Sequence, residues 1–362
     1  MPAPAPRRPA RNDGRTHAIT VGFVPLIDAS PIVAAFELGY FADEGLDVRL
    51  EKQIGWGNVR DRLTYGELHA SHAPMGMVPA SLGGLPHYDE PLAALAALGA
   101  GGNAITVSRT LAEAGDAAAT PARWRQLVGR RANLAYVFSV ASHHYALRRL
   151  LQAAGVSPDH DARLCVVPPP LMPRLLQQGT LDGFCCGEPW NTVAAARHGG
   201  TIFRATTEIV PDHPEKVLAV TRRWARQHAA QAEQLTRAVV RGCDFCESPA
   251  HRGRLTEMLA RPQYLAIEED LIDRSLSIDS WLRPNARRPR FRSFARAATV
   301  PSEPALKWVV GEMIHWGQLP PTTDAEALAR ESVIEGAYEK AIEGVDGPAF
   351  AKTSHRLETQ LS

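Results

Sequence analysis

The sequence predicts an α/β protein of two lobes joined by two crossover strands. Its 362 residues exceed what one hydrophobic core holds comfortably and suit two of ordinary size. From about residue 18, short apolar runs alternate with stretches of helical spacing, the rhythm of βαβ units in a parallel sheet. That rhythm restarts near residue 108 and gives way to long helices after about 216, as in a chain that builds a second lobe and returns to the first.

The elements follow in order. "AITVGFVPL" (18–26) is apolar and β-branched, so it reads as a buried strand. "DASPIVAAFELGYF" has helical spacing, with proline one residue after Ser30 at a helix start. "LDVRLEKQ" alternates as a half-buried strand does, "WGNVRDRLTYGEL" reads as helix, and "ASHAP" as strand or turn. "LAALAALGAGGNAITVS" passes from an apolar run through glycines into another strand. After a looser stretch, "ANLAYVFSVASHHYALRRLLQAAGV" gives strand, loop and helix, and "ARLCVVPPPLMPRLLQQGTLDGFCCGEPWNTVAAARHG" repeats the pattern. "EKVLAVT" is a strand, and helices dominate from there to about 345.

The expected organisation is a disordered leader (1–17), a discontinuous first lobe (18–107 plus 216–345), a second lobe (108–215) and a polar C-terminal tail (346–362). The leader "MPAPAPRRPARNDGRTH" lacks the apolar run that a secretory signal needs, so a cytoplasmic protein is expected. No stretch approaches eighteen uninterrupted apolar residues, so no membrane span is expected. Forty basic side chains nearly cancel thirty-nine acidic ones, which leaves no field for direct nucleic-acid binding and favours a small partner. The five cysteines make an odd set, and Cys185 and Cys186 are neighbours, so reduced thiols are expected rather than a disulfide framework.

Consecutive side chains on a strand face opposite ways, so Cys185 and Cys186 would not share a metal; Cys243 and Cys246 have CxxC spacing but no companion ligand pair. No metal or cofactor is expected. The chain has no GxGxxG fingerprint and no P-loop. His143 stands where a strand gives way to a helix, whose exposed N–H groups favour an anion; alone, it reads equally well as a loop histidine. Lys216 alone would be a solvated lysine, and Trp56 alone a core aromatic. Together, Trp56, Asn103, His143, Gly187 and Lys216 fall at junctions between strands and their connections, the edge that lines the cleft in open sheets. No nucleophile and base pair stands in these motifs, so an enzyme is not expected.

"GFVPLIDASPIVAAFELGYF", "GWGNVRD", "GNAITVS", "FSVASHHYALRRLL", "GTLDGFCCGEPWN", "DHPEKVLA" and "HWGQL", in this order, resemble the nitrate-binding proteins related to the nitrate and bicarbonate receptors of ABC transporters. The likeness runs from about residue 18 to 345. It implies the type II periplasmic-binding-protein fold, which closes on its anion. It also implies a nitrate pocket made by Trp56, Asn103, His143, Gly187 and Lys216, with asparagine where some relatives have glutamine. Nitrate is flat, singly charged and a weak base, so it suits several donors and one full positive charge, which Lys216 would supply. Bicarbonate carries an O–H that needs an acceptor, and a carboxylate in place of the lysine would be expected for it. The part played by Glu188 stays open.

Within that family the chain is similar to the cytoplasmic nitrate and nitrite sensors. That likeness implies a partner, an ANTAR-type RNA-binding antiterminator released when the anion binds. The alternative is the substrate-binding component of an ABC transporter for nitrate, bicarbonate or a sulfonate-like solute.

Overall fold

The computed structural model describes residues 18–113, 120–277, 292–343 and 345. The expected leader (1–17) and tail (346–362) lie outside the described residues.

The first lobe is built on a sheet that takes β1 (Ile19–Phe23), β2 (Val48–Lys52), β3 (Ala70–Pro74) and β4 (Leu92–Ala97) from the first part of the chain. A short β5 (Ala100–Gly101) leads out of that lobe. β6 (Asn103–Ser108), β7 (Ala132–Tyr136), β8 (Ala162–Val166), β9 (Gly183–Gly187) and β10 (Gly200–Ala205) form the second sheet. The chain then returns as β11 (Lys216–Thr221), which inserts between β3 and β4, and a later β12 (Arg292–Ser293) pairs with β5. The strand orders are β2-β1-β3-β11-β4 and β10-β6-β9-β7-β8.

Neither sheet is purely parallel, which corrects the sequence-based expectation. β1 runs parallel to β2 and β3, while β11 is antiparallel to β3 and β4. In the second sheet β7 runs parallel to β8 and β9, while β6 is antiparallel to β9 and β10. The reversed strand in each sheet is the one by which the chain arrives from the other lobe. Such a strand starts at the cleft and runs away from it, whereas the others end there. For the same reason the second sheet begins at Asn103, not at the expected boundary of 108.

The two crossovers touch one another. Leu98 N donates to Lys216 O at 2.8 Å, and Ala100 bridges Pro214 in antiparallel fashion. Pro31 sits in the first turn of the helix Ser30–Glu37, where its missing N–H costs nothing.

One buried apolar cluster runs through both lobes, with Trp56, Met75 and Met313 from the first and Val140, Tyr145 and Phe184 from the second. The opposite face of the second sheet has its own core, which includes Ile105, Leu147 and Cys185. Cys186 belongs instead to the shared cluster, so the two adjacent thiols point into different interiors. All five cysteines are free thiols. Among the described residues no group of three or more His, Cys, Asp or Glu could hold a metal ion, and no helix is long and apolar enough to cross a membrane.

Candidate anion site between the lobes

The fold brings all five residues singled out in the sequence to one seam. Trp56 begins the helix Trp56–Thr64 after β2, Asn103 begins β6, His143 lies in the first turn of the helix Ser142–Ala153, Gly187 ends β9 and Lys216 begins β11. Each therefore stands at the cleft edge of its sheet.

Contacts link them through residues the sequence motifs did not isolate. The Lys216 ammonium lies 2.9 Å from Asp28 Oδ2 and 2.8 Å from Glu215 Oε2, and 5.6 Å from the centre of the Trp56 ring. His72 meets Trp56 edge-on with ring centres 4.9 Å apart, and its Nε2 is 2.9 Å from Asp28 Oδ1. His143 Nε2 stands 4.0 Å from Glu215 Oε2. Asn103 pairs with Gly187 across β6 and β9. A Cβ on Gly187 would lie 3.3 Å from Asn103 Oδ1 and 3.5 Å from Asp28 Oδ2, so any other residue would crowd this wall.

Burial and the neighbouring charges together decide the charge states. Trp56, Asn103, His143 and Lys216 are at most 1 % exposed. Burial pushes the Lys216 ammonium towards neutrality, but Asp28 and Glu215 outweigh it and hold the group charged. Burial likewise pushes both carboxyls up; Lys216 with His72 for Asp28, and Lys216 with His143 and His213 for Glu215, hold them below the usual carboxylate range. Burial, reinforced by Lys216, takes His143 down to about 3, so its imidazole is neutral and can donate from one nitrogen only.

The positive charge expected of Lys216 does not stand alone: two buried carboxylates bracket it. Nor is it the only buried cation here, since Arg292 of β12 lines a cavity of about 10 Å³ together with Asp28, Glu215 and Lys216. Arg292 Nη2 donates to Gly102 O at 2.8 Å. Asp28, His72, Glu215 and Arg292 escaped the sequence reading. Glu215 stood beside Lys216 in "HPEKVLA", and a charged residue next to a buried lysine was the available signal.

Several polar atoms around this charge cluster are buried without a hydrogen bond: Trp56 Nε1, Asn103 Nδ2 and both ring nitrogens of His143, one of which carries a proton to donate. Buried polar groups are nearly always satisfied, so a set of unpartnered ones at one seam makes it the candidate site for a polar solute. Larger hollows, of about 750, 460 and 220 Å³, lie elsewhere, around Tyr338, Trp224 and Trp124, and include none of these residues.

Glu188 has a structural task. Its Oε2 accepts from Thr192 N at 3.1 Å, its carbonyl accepts from Ile27 N at 2.8 Å, and the Glu188–Pro189 peptide is cis. Burial raises its carboxyl to about 7, against the hydrogen bond from Thr192 and the charge of Arg292. Trp190 Nε1 donates to Pro25 O at 3.0 Å, so the "GEPWN" segment ties the second lobe to the first.

One arrangement has the order of a hydrolytic triad. Thr206 Oγ1 is 2.7 Å from His213 Nε2, and His213 Nδ1 is 2.7 Å from Glu215 Oε1. Thr206 is fully buried and its hydroxyl donates to Asn103 O at 3.0 Å, so it braces the crossovers and presents no nucleophile to a solute.

Two α/β lobes, two crossovers and a buried polar seam between them define a type II periplasmic-binding-protein fold, a class that encloses a small solute between its lobes. The chain belongs to the NMT1-like family, whose model matches residues 12–260. It is 31 % identical to the nitrate/nitrite binding protein NrtA of Synechococcus elongatus, an alignment covering 90 % of this chain and 77 % of that one. It is 33 % identical to the bicarbonate transport ATP-binding protein CmpC of the same species over 86 % of this chain, but spans only 47 % of that protein. The crystal structure of the periplasmic nitrate-binding protein NrtA from Synechocystis PCC 6803 superposes with a TM-score of 0.85 at 25 % identity, covering 92 % of this chain and 90 % of that one. The chain thus stands with binding proteins, not with enzymes.

Proposed function

We propose that this chain binds nitrate or nitrite between its lobes, through Trp56, Asn103, His143, Gly187 and Lys216. The observation that carries the reading is the set of buried donors without partners, on Trp56, Asn103 and His143, beside a charged lysine. The indole, the amide and one imidazole N–H supply directed bonds to a flat oxyanion, and Lys216 supplies charge. Likeness to the nitrate/nitrite binding protein NrtA supports the same solute.

We further propose that it acts in the cytoplasm as a sensor. The anion stabilises the closed form through contacts with both lobes, and closure releases an ANTAR-type RNA-binding antiterminator. Five free cysteines suit a reducing compartment. A second reading, the substrate-binding component of a transporter, is favoured by the likeness to NrtA and to part of CmpC. The Asp28 and Glu215 carboxylates could also accept the O–H of bicarbonate, so the lysine alone does not select nitrate.

Calorimetric titration with nitrate, nitrite, bicarbonate and sulfate tests the solute. Binding of bicarbonate with no heat from nitrate or nitrite would overturn the primary reading. Gel filtration with an ANTAR-type antiterminator from the same genome tests the partner. A complex that forms without anion and dissociates with it is expected; no complex, or one that survives saturating nitrate and nitrite, leaves the transporter reading.

A further inference from the structure

The lobes meet at a place where one of them has no side chain. Gly76 lies in the first lobe between β3 and the helix Met77–Leu82, with φ −64° and ψ −16°, a conformation open to any residue. Its backbone therefore does not require glycine. Its surroundings do: a Cβ built on Gly76 would stand 1.9 Å from the carbonyl oxygen of Val140 and 3.2 Å from Met313 Cε.

Val140 belongs to the second lobe, in the loop between β7 and the helix Ser142–Ala153. Val140 is two residues from Ser142, whose hydroxyl donates to Glu215 Oε1 at 2.5 Å, and three from His143. The same seam carries Tyr145, whose hydroxyl donates to Gln318 Oε1 at 2.7 Å, while Gln318 Nε2 donates to Ser139 O at 2.8 Å. The contact at Gly76 thus sets a backbone carbonyl of one lobe against the Cα of the other, immediately beside the residues that bring His143 to the charge cluster.

We infer that Gly76 is the positioning residue that permits full closure, and that the Gly76–Val140 contact sets how near the helix Ser142–Ala153 can come to Glu215 and Lys216. A methyl at position 76 would force the Val140 carbonyl back by at least about 1 Å, because close-packed interiors do not absorb such overlap. Ser142 and His143 would retreat with it. In an open arrangement the same methyl would meet no carbonyl of the other lobe, and within the first lobe only the flexible end of Met313 would have to give, by a few tenths of an ångström. The substitution acts on the balance between open and closed forms, and apparent affinity falls with the fraction of molecules able to close.

The affinity part rests on the reading of this seam as an anion site; the closure part does not. The test compares wild type, Gly76→Ala, Gly76→Val and, as a control, Gly253→Ala, whose added Cβ would meet nothing within 4 Å. Circular dichroism and thermal melting establish that each variant folds. Nitrate affinity is expected to fall at least tenfold in Gly76→Ala and further in Gly76→Val, with Gly253→Ala unchanged.

Two readouts then follow closure itself. The radius of gyration from X-ray scattering should shrink with saturating nitrate in wild type and not in the Gly76 variants. Amide exchange at Ile27, whose N–H donates across the lobes to Glu188 O, should be faster in the Gly76 variants with or without anion. Wild-type exchange at Ile27 in Gly76→Val would overturn the inference. If wild type ignores nitrate, the functional reading fails, and exchange at Ile27 still decides the part played by Gly76.

Discussion

The Lys216 ammonium lies 2.9 Å from Asp28 Oδ2, a fully buried contact between the first residue of β11 and the turn that follows β1. With Glu215 on its other side, the lysine is held in place before any solute arrives. Its buried pairs serve stability, and mutation can separate that part from the recognition proposed for it.

Lys216→Ala removes the cation from two buried carboxylates. Nitrate affinity should fall at least about thirtyfold, and stability at pH 7 by roughly 3 to 5 kcal/mol, the cost of breaking a buried pair. Lys216→Met combined with Asp28→Asn should recover part of the melting temperature and none of the binding. Calorimetric titration and thermal melting give the two readouts; wild-type affinity in Lys216→Ala would remove the lysine from the site.

His143 carries a signature in acid. Its folded pKa of about 3 lies below the ordinary 6.5, so as pH falls through 6.5 the unfolded chain takes up a proton that the folded chain refuses. Stability is lost as pH falls across that window, by about 2 kcal/mol at pH 5. His143→Asn should show a smaller drop in melting temperature between pH 7 and pH 5 than wild type does. An equal drop in both proteins would place the acid sensitivity elsewhere.

Glu188 behaves in the opposite sense. Its folded pKa of about 7 exceeds the ordinary 4.5, so stability is fully present below 4.5 and is lost as pH rises towards 7, by on the order of 3 kcal/mol. Glu188→Gln keeps an acceptor for Thr192 N and removes the proton. The variant should gain on wild type between pH 5 and pH 8. A constant difference in melting temperature over that range would show that the carboxyl is ionised throughout.

The thiols should prove dispensable for binding. Cys185 faces the core on the opposite face of the second sheet, and Cys186 is packed beside Asn191, with Sγ 3.8 Å from Asn191 Oδ1. Alanine at either position should cost about 1 kcal/mol or more through lost packing. Nitrate affinity measured by calorimetry should stay within about twofold; loss of binding with wild-type stability would give the thiols a role at the site.

The sequence by itself determined the two-lobed α/β rhythm, the return of the chain to its first lobe and the five junction residues. Periodicity, turn residues and motif order are local, and they survive without knowledge of the fold. What it left undetermined was strand direction. That β6 and β11 run against their neighbours follows from which edge of a sheet the chain enters, and no local propensity records it. Only the tertiary structure decided the electrostatics: Asp28, His72, Glu215 and Arg292 come from four separate parts of the chain, and a carboxylate 188 positions from a lysine has no local signature. Gly76 is the clearest case. Its backbone angles are ordinary, and its lack of a side chain becomes a requirement only when the carbonyl of Val140 is brought against it by the closing of the lobes.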